Sequence, residues 1–172
     1  MKDAFAAEVA AQGDDEALRA VVREACRMTQ MGFAAIARVT EERWIVCQVE
    51  DRIEFGLDPG GELEIKKTIC DDIRKCGCAI VIDDVRADPE WRTHPIPILY
   101  GFESYASLPI WLADGSFYGT LCALDPEPRA LSAPETVAAL RMLADRAATI
   151  LSLKVQSAAP AADGAAGPGL AP

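Results

Sequence analysis

The sequence predicts an α+β domain built on an antiparallel sheet, and three observations support this class. Two β-prone runs, 104–110 and 117–124, are joined by a link that contains Asp114-Gly115, which is a strong hairpin signal. Amphipathic stretches lie near both ends of the chain. Between them, the predicted order is two strands, a short helix, a strand, an irregular segment and the hairpin.

Composition limits the functions that the chain can have. Its 172 residues, 51% of them hydrophobic, are enough for one domain with a proper core. The net charge of -10 argues against binding to nucleic acid, because phosphate contacts require a basic face. No apolar run approaches the ~20 residues of a spanning helix, and no basic amphipathic stretch favours a membrane surface. We therefore expect a cytoplasmic protein without membrane contact, whose six cysteines are mostly thiols.

The first half of the chain predicts two helices and three strands. Residues 1–13 are alanine-rich, either helical or frayed, and we expect a flexible N-terminus before a domain over 14–155. Apolar residues at three- and four-residue spacing predict a helix over 15–31, which Gly32 ends in a left-handed conformation. A mixed pattern predicts a short helix over 65–75, and β-prone runs predict strands over 33–40, 44–50 and 78–83.

The second half contains a long irregular segment before the hairpin. Residues 84–102 hold three X-Pro pairs, which disfavour helix at the preceding residue. Such a segment is typical of a lid or wall over a pocket, and a packed surface loop is the alternative. An apolar stripe predicts a last helix over 132–155, which packs on the sheet, on a partner helix, or on both. Residues 156–172 are rich in Ala, Gly and Pro and predict a disordered tail or linker.

Several motifs together resemble a GAF domain, the small-molecule sensing module of signalling proteins. The resemblance covers residues 15–153 and rests on Ile69-Cys70, Val81-Ile82-Asp83-Asp84, Ala87-Asp88-Pro89, His94-Pro95, Tyr105-Ala106, Leu108-Pro109-Ile110, Asp114-Gly115 and Gly119-Thr120-Leu121-Cys122-Ala123-Leu124-Asp125. The chain is similar to the bacterial subgroup found beside histidine kinases and diguanylate cyclases. The resemblance implies a central antiparallel sheet of five or six strands. It also implies terminal helices on one face and a cover over a ligand pocket, residues 56–102, on the other.

The resemblance and the aromatic residues suggest which side chains face an unknown small ligand. The candidate ligand-binding residues are Cys70, Trp91, His94, Tyr100, Phe102, Tyr105, Ser107 and Cys122. His94 is the only histidine, and a lone loop histidine is more often a surface residue than a catalyst. In phytochrome-type GAF domains a bilin-attaching Cys precedes a His in this region, whereas Thr93 precedes His94 here. A covalent bilin is therefore not expected, and non-covalent tetrapyrrole binding stays open.

The cysteines suggest one further site and argue against another. Cys76 and Cys78 follow Arg74 and Lys75, and an exposed thiolate beside these cations would have a lowered pKa and oxidise reversibly. Cys76 and Cys78 are therefore redox candidates, with inert thiols as the alternative. A zinc or iron–sulfur site needs about four soft ligands, so we expect no metal site.

Three functional hypotheses remain. The first is a homodimeric sensory module whose ligand or redox state reaches an output protein, such as a histidine kinase or diguanylate cyclase, through the terminal helices. The second is a ligand-free dimerisation domain derived from the same fold. The third is a free methionine sulfoxide reductase, because those enzymes resemble GAF domains and Cys70 matches one of their cysteines. Their nucleophilic Cys lies in the segment that corresponds to residues 94–105, which contains no Cys here, so no catalytic residue is expected.

Overall fold

The computed structural model describes residues 2–158, which form an α+β domain with a six-stranded sheet. Its helices are α1 (Ala4–Gly13), α2 (Glu16–Thr29), α3 (Cys70–Cys76), α4 (Pro95–Tyr100) and α5 (Pro134–Ala158). Its strands are β1 (Phe33–Val39), β2 (Trp44–Asp51), β3 (Glu62–Leu63), β4 (Ile80–Ile82), β5 (Ser104–Trp111) and β6 (Phe117–Asp125). The predicted fold class is confirmed. None of the described helices is long and apolar enough to cross a bilayer.

All neighbouring strands are antiparallel, in the order β3-β2-β1-β6-β5-β4. The β5–β6 hairpin pairs Ser104 with Asp125 and Trp111 with Phe117, and the predicted Asp114-Gly115 link turns between them. Gly115 has a φ of 85°, a conformation that glycine adopts without strain. The edge strand β3 was not predicted, because two residues are too few to show an alternating pattern.

The terminal helices pack together on one face of the sheet, as predicted. The apolar stripe of α5 is buried in the domain through Leu140, Leu143, Ala144, Ala147 and Leu151. Alternate residues of the central strands lie on the face of the sheet that α5 covers, and they pack against this stripe. The alternatives for α5 are thus partly resolved: its stripe packs within its own domain, and only other positions of the helix remain open to a partner.

The N-terminal segment is a packed helix rather than the flexible segment that the sequence predicted. The carboxylate of Asp3 accepts a hydrogen bond from the Ala6 amide and so caps α1. Ala6 and Val9 are buried against the sheet and the last helix. A Cβ on Gly13 would lie 1.7 Å from the Cys47 carbonyl oxygen, so only glycine permits this approach. The sequence of this segment did not predict the packing, because its alanine-rich positions show no contrast between a polar and an apolar face.

The ends of α2 and α5 also differ from the predictions. Gln30, with a φ of 58°, is the left-handed residue after α2, and Gly32 is not. Gly32 is needed for space instead, because its amide donates to Asp125 at 2.8 Å and a Cβ would lie 2.2 Å from Ile53 Cγ2. α5 continues to Ala158, into the predicted tail. Residues 159–172 of that tail lie outside the described part of the chain.

Residues 52–103, here called the cover, lie mainly on the second face of the sheet and contain more helix than predicted. Pro95 and Pro97 lie in the first turn of α4, where the backbone amides have no helical partner, so proline costs no hydrogen bond there. Gly77, with a φ of 66°, ends α3 in the left-handed conformation. The predicted helix over 65–75 is divided into the 3-10 turn Ile65–Lys67 and α3.

Candidate functional site

A small cavity lies between the second face of the sheet and the cover. We call it the inner cavity; its volume is about 40 Å³. It is lined by Phe33, Trp44, Phe55, Leu57, Leu63, Thr68, Ile69, Cys70, Ile96, Tyr100, Phe102, Tyr105, Cys122 and Leu124. A water molecule takes up roughly 30 Å³ in the liquid, so the cavity as folded has room for about one. Its wall is almost entirely apolar.

A group of polar side chains, here called the thiol cluster, lies at one side of this cavity; Cys70, Tyr105 and Cys122 line the cavity. Cys70, the first residue of α3, places its sulfur 3.2 Å from Thr120 Oγ1, 3.5 Å from the Tyr105 hydroxyl and 3.9 Å from Ser107 Oγ. Cys122 completes the cluster beside Cys70. Alternation on two paired strands explains the grouping, because residues two apart on β5 or β6 share a face.

The cluster polarises its two thiols in opposite directions. The neighbouring Cys122, with the hydroxyls of Thr120 and Tyr105, lowers the pKa of Cys70, although burial opposes ionisation. The neighbouring Cys70, together with burial, raises the pKa of Cys122 well above its ordinary value.

One polar group in the cavity wall has no hydrogen-bond partner. The indole Nε1–H of Trp44 is buried and makes no hydrogen bond of normal geometry within residues 2–158. It lies near enough to Cys70 to contribute to the lowered pKa of that thiol. A buried donor without a partner costs about 1–3 kcal/mol.

Aromatic rings close the cavity on its outer side. The ring centroids of Phe33 and Phe55 are 4.9 Å apart, and those of Phe55 and Tyr100 are 5.8 Å apart. Deeper in the cavity, Phe102 stacks on Tyr105 at 5.2 Å. Beyond Phe55 and Tyr100 lies an open depression of about 490 Å³, here called the outer groove. The inner cavity and the outer groove share Phe55, Leu57, Leu63, Tyr100 and Leu124.

Asp51 holds the loop that carries Phe55. Its Oδ1 accepts hydrogen bonds from the amides of Ile53 and Phe55, at 3.1 and 3.0 Å, and its Oδ2 accepts one from Gly56 at 2.9 Å. Partial burial opposes ionisation, but these amides outweigh it and lower the pKa of Asp51. The position of Phe55 over the cavity thus depends on one carboxylate.

The structure brings together most, but not all, of the predicted ligand-binding residues. Cys70, Tyr100, Phe102, Tyr105 and Cys122 line the inner cavity, and Ser107 contacts it through the thiol cluster. The remaining two predicted residues, Trp91 and His94, do not line it.

Trp91 and His94 pack together on the cover, with ring centroids 4.8 Å apart. His94 Nδ1 accepts a hydrogen bond from the Ile96 amide and so caps α4. This is a structural role, because the imidazole is engaged with backbone and lies outside the cavity. We predicted a ligand-binding role for His94 because it lies in the segment over 84–102. No sequence pattern indicated that it would cap a short helix.

Sequence reasoning missed several residues of the cavity wall. Phe33 and Trp44 were placed only in strands, and Phe55 was placed in no element. Thr120 of the thiol cluster was likewise assigned no role. The alternation of Thr120 with Cys122 on one strand would have located Thr120 on the cavity face. No sequence pattern places Phe55 at the cavity, because its position depends on the loop that Asp51 holds.

The other four cysteines lie outside the cavity. Cys76 and Cys78 form a disulfide at the protein surface, with their Cα atoms 5.3 Å apart. Cys26 and Cys47 are buried on the helical side of the sheet, and burial raises their pKa to about 12 and about 11. Within residues 2–158, no three His, Cys, Asp or Glu side chains gather as a metal site would require.

Comparison with known proteins supports the fold. Residues 15–151 match the family model described as "GAF domain". No curated protein sequence matches the chain. Among solved structures, the blue-light-absorbing PixJ GAF domain of Thermosynechococcus elongatus aligns with a TM-score of 0.65 at 10% identity, over 88% of this chain and 90% of that one.

Two other solved structures show the range of proteins with this fold. The type II free methionine-R-sulfoxide reductase of Thermoplasma acidophilum aligns with a TM-score of 0.60 at 13% identity, over 79% of this chain and 90% of that one. The GAF domain of an Acinetobacter phosphoenolpyruvate-protein phosphotransferase aligns with a TM-score of 0.63 at 10% identity, over 90% and 98%. At these identities the likeness is one of fold alone.

Proposed function

We propose a sensory function for this chain, which belongs to the GAF domain family. A small molecule binds in the inner cavity and displaces part of the cover. Helices α2 and α5, which pack on the opposite face of the same sheet, pass this change to a cytoplasmic output protein. A histidine kinase or a diguanylate cyclase is the kind of output protein that we expect.

The buried Trp44 N–H beside the thiol cluster is the observation that carries this proposal. Polar groups inside an apolar cavity are costly unless they are paired, and here the Trp44 N–H remains unpaired. Ligand pockets typically combine apolar walls with a few such polar groups. The walls favour a small, largely apolar molecule, aromatic or aliphatic, with one acceptor atom that takes the Trp44 hydrogen bond.

Access to the cavity requires movement of Phe55 and Tyr100. Pockets for drug-sized ligands measure about 300–1,000 Å³, far more than the about 40 Å³ of the inner cavity. The outer groove lies directly behind these two rings, so outward rotation of Phe55 would join the two spaces. We therefore regard the present arrangement as the closed form of the site.

Native mass spectrometry of the full chain, purified without reductant, tests the proposal. We expect a mass excess that disappears on denaturation, and its value identifies the class of ligand. Tyr105→Phe, which removes only the hydroxyl, should lower the bound fraction. Trp91→Phe is the matched control, because Trp91 lies outside the cavity, and its bound fraction should equal that of the native protein. No excess in any preparation would contradict ligand binding.

A ligand-free dimerisation domain is the second candidate, and the small volume of the cavity favours it. Met142 and Leu153 on α5 are 67% and 63% exposed, and either could contact a second copy. Replacing both with Glu should then convert a dimer to a monomer in light-scattering measurements while the circular dichroism stays unchanged. The buried Leu140 is unsuitable for this test, because a charge there would unfold the domain.

The structure gives little support to two further hypotheses, tetrapyrrole binding and methionine sulfoxide reduction. The small inner cavity does not fit a tetrapyrrole, and we derive no step through such a group. Methionine sulfoxide reduction would need a reactive thiol that a substrate can reach. Cys70 and Cys122, the two cysteines at the cavity, are both buried. Turnover of free methionine sulfoxide with a dithiol reductant would nevertheless revive that hypothesis.

A further inference from the structure

The Cys76–Cys78 disulfide lies in the open, at the C-terminal end of α3. Both residues are exposed, whereas the other four cysteines are buried. The bond spans a single intervening residue, Gly77. Loop closure over so short a span removes little entropy from the unfolded chain, so the bond contributes little to stability by that route.

The surroundings of the bond assign different roles to its two sulfurs. The backbone amide of Cys78 donates a hydrogen bond to Cys76 Sγ at 3.2 Å. A donor at that position stabilises negative charge on Cys76 more than on Cys78, as a hydrogen bond to an anion is the stronger kind. Cys76 is therefore the better leaving group and Cys78 the sulfur to be attacked.

We propose that Cys76–Cys78 is a thiol–disulfide exchange site for thiol reductants. A thiolate attacks Cys78 Sγ and forms a mixed disulfide, while the Cys76–Cys78 bond breaks and its electron pair leaves with Cys76, which takes a proton. A second thiolate attacks the sulfur of the reductant in the mixed disulfide. The sulfur of Cys78 leaves as a thiolate and takes a second proton. Two molecules of thiol are thus oxidised to one disulfide, and the protein disulfide is reduced to two thiols.

The structure offers a built-in optical reporter of this reaction. Gly77 sits against the indole of Trp111, since a Cβ on Gly77 would lie 3.2 Å from Trp111 Cζ2. Trp111 is 46% exposed and packs its ring against Phe117, with centroids 5.3 Å apart. Opening of the disulfide frees the segment that contacts this indole, so the fluorescence of Trp111 should change on reduction.

The test treats the full native chain with reduced glutathione or dithiothreitol and then labels thiols with N-ethylmaleimide. Peptide mass mapping should show no label at Cys76 and Cys78 before reduction, and full label afterwards. Cys26 and Cys47 should react more than about 100-fold more slowly, because their raised pKa and burial suppress the thiolate. Acid quenching early in the glutathione reaction should trap the mixed disulfide on Cys78.

Three variants sharpen the result. Cys78→Ser should abolish the fluorescence change and leave one reactive thiol at Cys76, while Cys26→Ser should behave as the native chain does. Trp111→Phe should remove the optical change but keep the labelling pattern. The proposal is overturned if the bond resists both reductants until the chain unfolds. It is also overturned if the two thiols are free as purified and oxidised glutathione does not join them.

Discussion

Replacement of Phe55 with Ala tests the idea that this ring seals the inner cavity. Phe→Ala in a core costs about 3–5 kcal/mol, and Phe55 is only partly buried, so we expect about 2 kcal/mol. Its two ring contacts, at 4.9 and 5.8 Å, account for a large share, since each aromatic pair contributes about 0.5–1.5 kcal/mol. For a domain of this size the loss lowers Tm by about 4–8 °C.

The same substitution should create a site for a small apolar probe. Removal of the phenyl ring enlarges the inner cavity by about the volume of benzene, and engineered apolar cavities bind benzene. At ten times its Kd, benzene would restore about 1.4 kcal/mol to the variant, and it should leave the native chain unchanged. Thermal unfolding with and without benzene measures both effects.

Leu99→Ala is the matched control for this experiment. Leu99 lines the outer groove but not the inner cavity, and it is 55% exposed. We expect its replacement to change stability by no more than about 0.5 kcal/mol and to create no benzene site. The sealing role of Phe55 is refuted if Phe55→Ala is as stable as Leu99→Ala and equally indifferent to benzene.

Three further predictions concern the supports of the site. Asp51→Asn should cost about 1 kcal/mol and speed amide exchange in residues 52–56. Because the folded-state pKa of Asp51 lies below its ordinary 3.8, its contribution is complete above that pH and is lost as the pH falls through the folded value. The free energy of unfolding of Asp51→Asn should therefore fall less than that of the native chain as the pH falls through this range. Identical pH dependence of the two free energies would contradict this. Asp125→Asn should cost about 1.5–3 kcal/mol in urea unfolding, because the buried carboxylate also pairs with Arg129 at 3.4 Å. Gly119→Ala should prevent β1–β6 pairing, since its Cβ would lie 1.8 Å from the Ala37 carbonyl oxygen, and a native circular dichroism spectrum would contradict that.

The sequence predicted the fold through local signals that tertiary packing did not override. The hairpin depended on Asp114-Gly115, whose backbone preference is intrinsic. The helix over 15–31 had a wide contrast between polar and apolar faces, and the structure confirms it as α2. The packing of α1 could not be predicted, because its alanine-rich sequence shows no contrast between a polar and an apolar face. α4 was hidden because X-Pro pairs normally disfavour helix, yet its prolines lie in the first turn.

The candidate site was predictable only where it lies on strands. Alternation on a strand assigns side chains to faces, and Tyr105 and Ser107 do share one face of β5, beside Cys70. His94 was misplaced because its role as a cap depends on where a short helix begins, which the sequence did not show. The small volume of the cavity could not be predicted either, since it follows from how Phe55 and Tyr100 fill the space.

The packing of α1 determines where the domain may be cut for study. The family match begins at residue 15, yet the fold begins eleven residues earlier at Ala4. A fragment that started at Asp15 would uncover the surface that Ala6 and Val9 now protect, where burial of one Val contributes about 1.5–3 kcal/mol. It would also strip from the Tyr118 hydroxyl the Gln12 oxygen to which it donates at 2.8 Å. Such a fragment should be less soluble than the full chain, for a reason unrelated to the inner cavity.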